Sequence, residues 1–302
     1  MLYALLTLTL TLINLESLSN EILLDLFDCL DGFDILHAFS SLNSRFNLLL
    51  YKQSHGYFFD FSSISKHKFD ICQQYLPLIV NQVSHLSLFD DDNTPENINL
   101  FFSSIPSISL FTHLRFLTIN SLHSYQTLIQ IVDECYHLCN LTHLYLGYDC
   151  YLHDQVDFQL IMNKIWSLSK LNHYRFGITI DKKQIFCPPT IFSKSLESIY
   201  MDGFDLNLTH LYRLFEYTPR LKRIRTDITL FDDDDDYKLS LIPTLISLNI
   251  RIFRMFDSSK LFSFLQNLPN LRHLTYCLTN NLISGYQWEK NDPSLLTKTQ
   301  NL

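Results

Sequence analysis

A six-residue pattern that recurs along most of the chain limits the folds it can adopt. The pattern is apolar-x-x-apolar-x-apolar, as in Val83-Leu86-Leu88, and eight units of it occur, one of them without the last apolar residue. Successive units begin between 24 and 31 residues apart. Their first residues are Val83, Leu114, Leu141, Leu171, Leu196, Leu221, Leu245 and Leu271. Self-similarity at such a period indicates stacked supersecondary units that bury one continuous core between neighbours.

The segments between units carry the apolar spacing of helices. We expect helices at 98–105, 125–138, 158–168, 208–217 and 261–268, and Pro106, Pro219 and Pro269 follow three of them, where proline ends a helix. The period and motif resemble those of leucine-rich repeats, in irregular form because the usual Asn or Cys after the motif is mostly missing. The resemblance implies an α/β solenoid, a horseshoe with a parallel sheet and outer helices.

Strand alternation converts the motif into a surface prediction. If positions 1, 4 and 6 of each unit point into the core, positions 3 and 5 point out of the sheet on its concave side. Those positions are rich in Tyr, Arg and His, and Tyr and Arg are enriched at protein interfaces. We expect a protein substrate to contact Phe116, His143, Tyr145, His173, Arg175, Tyr200, Arg223 and Arg225. The alternative is a solvated face covered by an insertion.

Residues 15–51 read as three short helices. In the first, Ser19 is placed as the N-cap, Ile22, Leu23, Leu26, Phe27 and Leu30 form one apolar stripe, and Gly32 is placed at the C-terminal end. We expect the second helix to start at Asp34 and the third to carry Phe46, Leu49 and Leu50. So small a unit cannot hide all of its apolar side chains by itself.

The same stretch resembles the F-box in Leu18-Ser19-Asn20-Glu21-Ile22-Leu23, Asp34-Ile35-Leu36 and Leu42-Asn43-Ser44-Arg45-Phe46. Ser19 stands where the family usually has Pro, and Phe46 where it has Trp. The resemblance implies docking onto the Skp-type adaptor of a cullin-based ubiquitin ligase. The residues it assigns to that contact are Leu18, Ile22, Leu23, Phe27, Leu30, Ile35, Leu36 and Phe46. The alternative is an ordinary three-helix cap on the domain that follows.

Composition removes several classes of function. The six glycines are too dispersed for a phosphate-binding loop or a nucleophile elbow, and a formal charge of −8 argues against a nucleic-acid partner. Seven irregularly spaced cysteines suit a reducing compartment, cytoplasmic or possibly nuclear. The apolar residues 1–13 lack a basic start and a cleavage site, and they are too short to cross a bilayer, so we expect neither a signal peptide nor membrane attachment.

The expected organisation has five parts. They are an apolar extension at 1–14, the F-box-like module at 15–51, a connector and cap at 52–82, the repeat array at 83–279 and a polar tail at 280–302. The acidic runs 90–92 and 232–236 are expected in loops, the second in place of a helix. Such runs are usually solvated, and the alternative is that they attract a basic partner segment by electrostatic steering.

No arrangement of residues points to catalysis or to a cofactor. His143 and His173 on adjacent strands lack further zinc ligands, and Cys135 with Cys139 suits buried thiols better than a metal site. We therefore expect a non-enzymatic adaptor that binds a Skp-type adaptor, through it a cullin, and an unknown protein substrate, without forming a homo-oligomer. The alternatives are a protein-binding repeat scaffold outside any ligase and a secreted repeat protein.

Overall fold

The computed structural model describes residues 15–51, 56–62, 64, 66–90, 96–148, 155–178, 184–230, 241–255 and 258–278. The predicted extension at 1–14, the predicted tail at 280–302 and the acidic run 232–236 lie outside these residues. Within them, no helix combines the length and apolar character needed to cross a membrane.

The described residues form an α/β arrangement of solenoid type, as the repeat period predicts. The helices are α1 Asn20–Asp28, α2 Gly32–Phe39, α3 Ser44–Leu50, α4 Lys66–Ile79, α5 Asn97–Ser104, α6 Tyr125–Cys135, α7 Gln155–Trp166, α8 Leu208–Tyr217 and α9 Ser258–Gln266. The strands are β1 Tyr57–Asp60, β2 Val83–Phe89, β3 Phe116–Leu122, β4 His143–Tyr148, β5 His173–Ile178, β6 Gln184–Ile185, β7 Ser198–Leu206, β8 Arg223–Leu230, β9 Ser247–Met255 and β10 His273–Leu278. Nine of them pair in parallel in chain order, and β6 pairs only with β7.

The apolar positions of the pattern form the core between the sheet and the helices. All of them except Tyr276 are exposed by 6% or less, and the rings of α7 pack directly on β5, with Trp166 against Tyr174 at 5.6 Å and Phe158 against Phe176 at 5.9 Å. Tyr276 was expected in the core but is 36% exposed. It lies on the last strand of the described residues, and its hydroxyl makes such a position compatible with water.

A backbone hydrogen-bond pattern repeats at the start of the strands. The carbonyl of Arg115, at position 2 of its unit, accepts the N–H groups of both Thr142 and His143 at 2.9 Å. The same doubled acceptor recurs in the five following units, at Thr142, Asn172, Glu197, Lys222 and Ile246. Each unit is thereby fixed to the next in the same register, which aligns equivalent side chains from strand to strand.

The sheet begins one strand earlier than the pattern predicts. β1, in the segment expected to be a connector, pairs with β2, and its Phe59 is fully buried. Phe33 of α2 packs edge-on against Phe59 at 5.1 Å and against Phe61 at 4.9 Å. The helical module therefore covers the first strand of the sheet.

The placement of Gly32 at the end of the first helix was wrong. α1 ends at Asp28, and the side chain of Asp31 accepts the N–H of Asp34 at 2.8 Å, so Gly32 is the first residue of α2. A Cβ at Gly32 would lie 2.5 Å from the Phe59 ring. Glycine is required at this position by the close approach of the helix to β1.

The first acidic run is not simply a solvated loop. Asp90 is only 7% exposed, and its carboxylate accepts the N–H of Ile98 at 2.9 Å near the start of α5. Burial raises the pKa of Asp90 above its usual value. Asp90 therefore has a structural role, whereas Asp91 and Asp92 lie outside the described residues.

Candidate functional site

The face of the sheet away from the helices, which we call the open face, carries three parallel rows of side chains. They occupy positions 3, 5 and 7 of the units, and strand pairing puts equivalent positions directly opposite one another, as in His143 with His173 and Tyr145 with Arg175. All eight residues predicted to bind a substrate lie in the first two rows. The third row lies beyond the six-residue pattern.

The first row is a stack of aromatic rings. His85, Phe116, His143 and His173 follow one another at centroid separations of 4.1, 4.0 and 4.1 Å, with interplanar angles of 22° or less. The preceding hydroxyl side chains approach two of the imidazoles, with Thr142 Oγ1 2.9 Å from Nδ1 of His143. The contacts fix each ring against the next and leave little rotamer freedom to lose on binding.

Burial and neighbouring charges keep these imidazoles neutral. Burial, then the proximity of His173, His85 and Arg223, lowers the pKa of His143 to about 4. The pKa values of His85 and His173 are also lowered, chiefly by burial. At neutral pH the positive charge of the open face therefore comes from its arginines.

The second row alternates tyrosine with arginine. The guanidinium of Arg175 lies over the rings of Tyr145 and Tyr200 at 4.5 and 4.2 Å, and that of Arg225 lies over Tyr200 at 4.5 Å. Such contacts are attractive because the ring face carries the negative part of its quadrupole. Tyr145, Arg175, Tyr200 and Arg225 thus form a continuous stack across β4, β5, β7 and β8.

The third row holds an ion-pair cluster that the six-residue pattern did not reveal. Arg251 on β9 reaches Asp227 at 3.0 Å and Asp202 at 3.2 Å, and Arg175 lies 4.0 Å from Asp202. Asp227 is 5% exposed, so its charge needs the partner that Arg251 supplies. Extending the strand alternation by two residues would have found this row.

The same row contains two adjacent glycines, Gly147 and Gly177. Over Gly147 the space is filled by Asn120, whose Oδ1 accepts the hydroxyl of Tyr145 at 3.2 Å and lies 1.7 Å from where a Cβ would be. Among the described residues, no atom comes within 4 Å of a Cβ built at Gly177. With respect to the described residues, the space over Gly177 is therefore open, in contrast to the filled space over Gly147.

The residues assigned to adaptor contact differ in how accessible they are. Leu18 and Leu30 are half-buried and Ile22 is 51% exposed, but the other five are exposed by 2% or less. Those five are Leu23, Phe27, Ile35, Leu36 and Phe46. The expectation that a partner covers Leu23 and Phe27 does not fit this conformation, because the chain itself covers them, as in the Phe27–Phe39 contact at 4.8 Å.

Other apolar side chains of the module face solvent. Leu42 is 56% exposed, Leu48 52% and Tyr51 48%. Leu42 was expected among the apolar residues of the second helix, but that helix ends at Phe39 and Leu42 follows it. The apolar pattern gave no indication of Leu48 and Tyr51.

The start of the module is held by Arg45 on α3. Its guanidinium donates to the carbonyls of Glu16 and Leu18 and to the side chain of Asn20, at 2.6, 2.5 and 2.9 Å. The N-cap side chain of Asn43 also donates to Glu16 at 2.8 Å. These hydrogen bonds connect the segment before α1 to α3, so they hold the helices that carry the exposed apolar side chains in a fixed relative position.

The candidate metal ligands are not arranged around a common point. His143 and His173 stack face to face at 4.1 Å instead of converging on an ion. Cys135 is buried, and burial strongly raises the pKa of its thiol, whereas Cys139 was expected on the buried face but is exposed. Across the described ranges, no group of three or more His, Cys, Asp or Glu could hold a metal ion.

Two surfaces therefore stand out, the open face with its stacked rows and the helical module with its exposed apolar side chains. Both are preorganised by internal contacts, a property that favours binding because less freedom is lost on association. No family model and no curated protein matches this chain.

Proposed function

We propose that this chain is the substrate-recognition adaptor of a Skp-cullin-F-box ubiquitin ligase. Residues 15–51 act as an F-box that binds a Skp-type adaptor and, through it, a cullin, and the open face of a leucine-rich-repeat array binds a protein substrate. The observation that carries the proposal is the joining of a helical module with exposed apolar side chains to a repeat sheet whose open face is lined by tyrosine and arginine. The chain performs no chemistry of its own and raises the effective concentration of substrate near the transferring subunits.

The apolar side chains of the module supply the energy for adaptor binding. Ile22, Leu42 and Leu48 are each more than half exposed. Covering apolar surface is worth about 25 cal/mol per Å², so three such side chains together favour a partner that removes them from water. Five cysteines, Cys29, Cys135, Cys139, Cys187 and Cys277, are free thiols, which supports a reducing compartment, cytoplasmic or nuclear.

Copurification of the chain with a recombinant Skp-type adaptor tests this function. Ile22→Asp and Leu48→Asp place a charge on the proposed contact without disturbing the core, because both side chains are exposed. Leu100→Asp is the matched control, since Leu100 on α5 is 49% exposed but lies outside the module. Phe27 is unsuitable for such a test, because a charge at this buried position would unfold the module.

We expect the two module variants to lose the adaptor and the Leu100 variant to retain it. Retention by all three, or failure of the unsubstituted chain to bind the adaptor, would refute the ligase assignment.

A second function is favoured by the packing of Phe33 on β1. In it, the chain is a repeat scaffold that binds protein without joining a ligase, and the module serves only as the cap of the sheet. Phe33 contacts both Phe59 and Phe61, so the module has a structural role in either case. The copurification experiment separates the two functions, because the scaffold has no use for the Skp-type adaptor.

A further inference from the structure

From the charges of the open face we infer that its substrate is an acidic peptide segment, whose carboxylates bind Arg175, Arg223 and Arg225. The inference deepens the proposed function and rests on it, since it names the class of substrate for the same face. It is carried by the geometry of the Tyr–Arg stack and by the balance of charge across β4–β9.

The stack directs the guanidinium edge of Arg175 toward a ligand. Tyr145 and Tyr200 cover its two planar faces at 4.5 and 4.2 Å, yet the side chain remains 48% exposed. A guanidinium whose faces are covered presents its N–H edge, which is the part that bonds a carboxylate in bidentate fashion. Asp202, at 4.0 Å, is beyond hydrogen-bond distance and is shared with Arg251.

The charges of the three rows do not cancel. On β4–β9 the rows contain four arginines and two aspartates, an excess of two positive charges on a chain whose formal charge is −8. The aspartates, Asp202 and Asp227, are both held by Arg251. Arg223 and Arg225 are exposed, and neither forms an ion pair with any described residue.

An acidic peptide matches this arrangement better than a nucleic acid does. Single-stranded nucleic acids bind by stacking their bases on free ring faces, whereas here Arg175 lies on both Tyr145 and Tyr200, and Arg225 lies on Tyr200 as well. The formal charge of −8 repels an acidic peptide and a phosphate backbone alike at long range, so the covered ring faces, and not the net charge, distinguish the two ligands. Local charge complementarity toward carboxylates therefore selects a peptide with Asp or Glu.

Fluorescence anisotropy with the purified full-length chain tests the inference without the Skp-type adaptor. The main probe is a labelled peptide of about ten residues rich in Asp and Glu, which at ~3.3 Å per residue is long enough to cross the arginine-bearing strands. The comparison probes are its Asn/Gln counterpart, a Lys-rich peptide and a single-stranded oligonucleotide. The variants are Arg175→Ala and the double variant Arg223→Ala with Arg225→Ala. Arg220→Ala is the charge-matched control, because Arg220 is 61% exposed and pairs with Glu197 away from the three rows.

We expect the acidic peptide alone to bind, and to lose at least about tenfold in affinity, equivalent to about 1.4 kcal/mol, in the Arg175 and double variants. Arg225→Lys should weaken binding to a smaller extent, because an ammonium keeps the charge but not the planar fork. The variants lose their contacts with Tyr145 and Tyr200 at exposed positions, so their melting temperatures should fall slightly while the cooperative unfolding transition is kept.

Three results would overturn the inference. They are equal binding of the acidic and neutral peptides, preferential binding of the oligonucleotide or the Lys-rich peptide, and an Arg220→Ala loss as large as that of the double variant. If the acidic peptide does not bind but the chain still copurifies with the Skp-type adaptor, only the inferred substrate class is rejected. If the acidic peptide binds but the chain does not copurify with the Skp-type adaptor, the ligase function is rejected and the inferred ligand class is still supported.

Discussion

Acidification should destabilise the protein through the ring stack of the first row. His143 has a pKa of about 4 in the folded chain, against 6.5 for an unperturbed imidazole. Between these values the unfolded chain binds more protons than the folded one, so the free energy of unfolding falls as the pH drops below 6.5 and is fully retained above it. At about pH 5 the linkage amounts to about 2 kcal/mol for this residue, which solvent at its edge reduces to about 1 to 2 kcal/mol.

Burial of the imidazole is the largest cause of the lowered pKa of His143, and the proximity of His173, His85 and Arg223 follows. Protonated His143 would face His173 at 4.1 Å and would also feel the charge of Arg223. Glu197, which favours the charged form of His173, is occupied by Lys222 and Arg220 at 2.8 and 3.1 Å.

Urea denaturation at about pH 7.5 and about pH 5 measures this effect. His143→Phe is the matched variant, because it keeps a ring in the stack between Phe116 and His173 but cannot be protonated. Titrating groups away from the stack contribute equally to both proteins, so the difference between their pH dependences reports His143 together with its coupling to His173 and His85. We expect the unsubstituted chain to lose about 1 to 2 kcal/mol more than the variant on acidification. Identical losses would refute the reasoning.

Two further predictions concern packing. Gly147→Ala should lower the free energy of unfolding by about 1 to 3 kcal/mol, because its Cβ would overlap Asn120. Adding Asn120→Ala should recover most of this loss, as a urea titration of the single and double variants would show. A double variant no more stable than Gly147→Ala would contradict the prediction. Arg45→Ala should speed amide hydrogen exchange at the start of α1, because it removes the hydrogen bonds to the carbonyls of Glu16 and Leu18. Hydrogen exchange measured by mass spectrometry should rise at this helix start and stay unchanged in α8. A uniform rise along the chain would instead indicate global destabilisation.

The fold was predictable because its information is local and repeated. Apolar residues at a spacing of two, such as Leu144 and Leu146 on β4, identify a strand and the side of it that is buried. The exceptions lie where a tertiary contact overrides the local pattern. Gly32 has the sequence context of a helix end, but Asp31 restarts the helix and Phe59 requires a glycine there.

The sequence predicted which residues lie on the open face, but it did not predict which of their side chains contact one another. Strand alternation is enough to assign Tyr145, Arg175 and Tyr200 to one side of the sheet. Their stacking depends on the register between neighbouring strands, which is fixed by the carbonyls that each accept two N–H groups. The apolar pattern within one repeat does not specify this register. The same limit applies to Arg251 and Asp202, whose ion pair joins residues from two separate strands.

The ring stack also has a mechanical consequence for the sheet. Parallel strands lie ~4.8 Å apart, yet the centroids of His85, Phe116, His143 and His173 are separated by only 4.0 to 4.1 Å, so the side chains converge away from the backbone. Any motion that spread these strands apart on the open face would separate the rings and lose their dispersion contacts. For the proposed peptide ligand, we therefore expect weaker binding of a shape that requires the rings to separate than of a shape that leaves the stack intact.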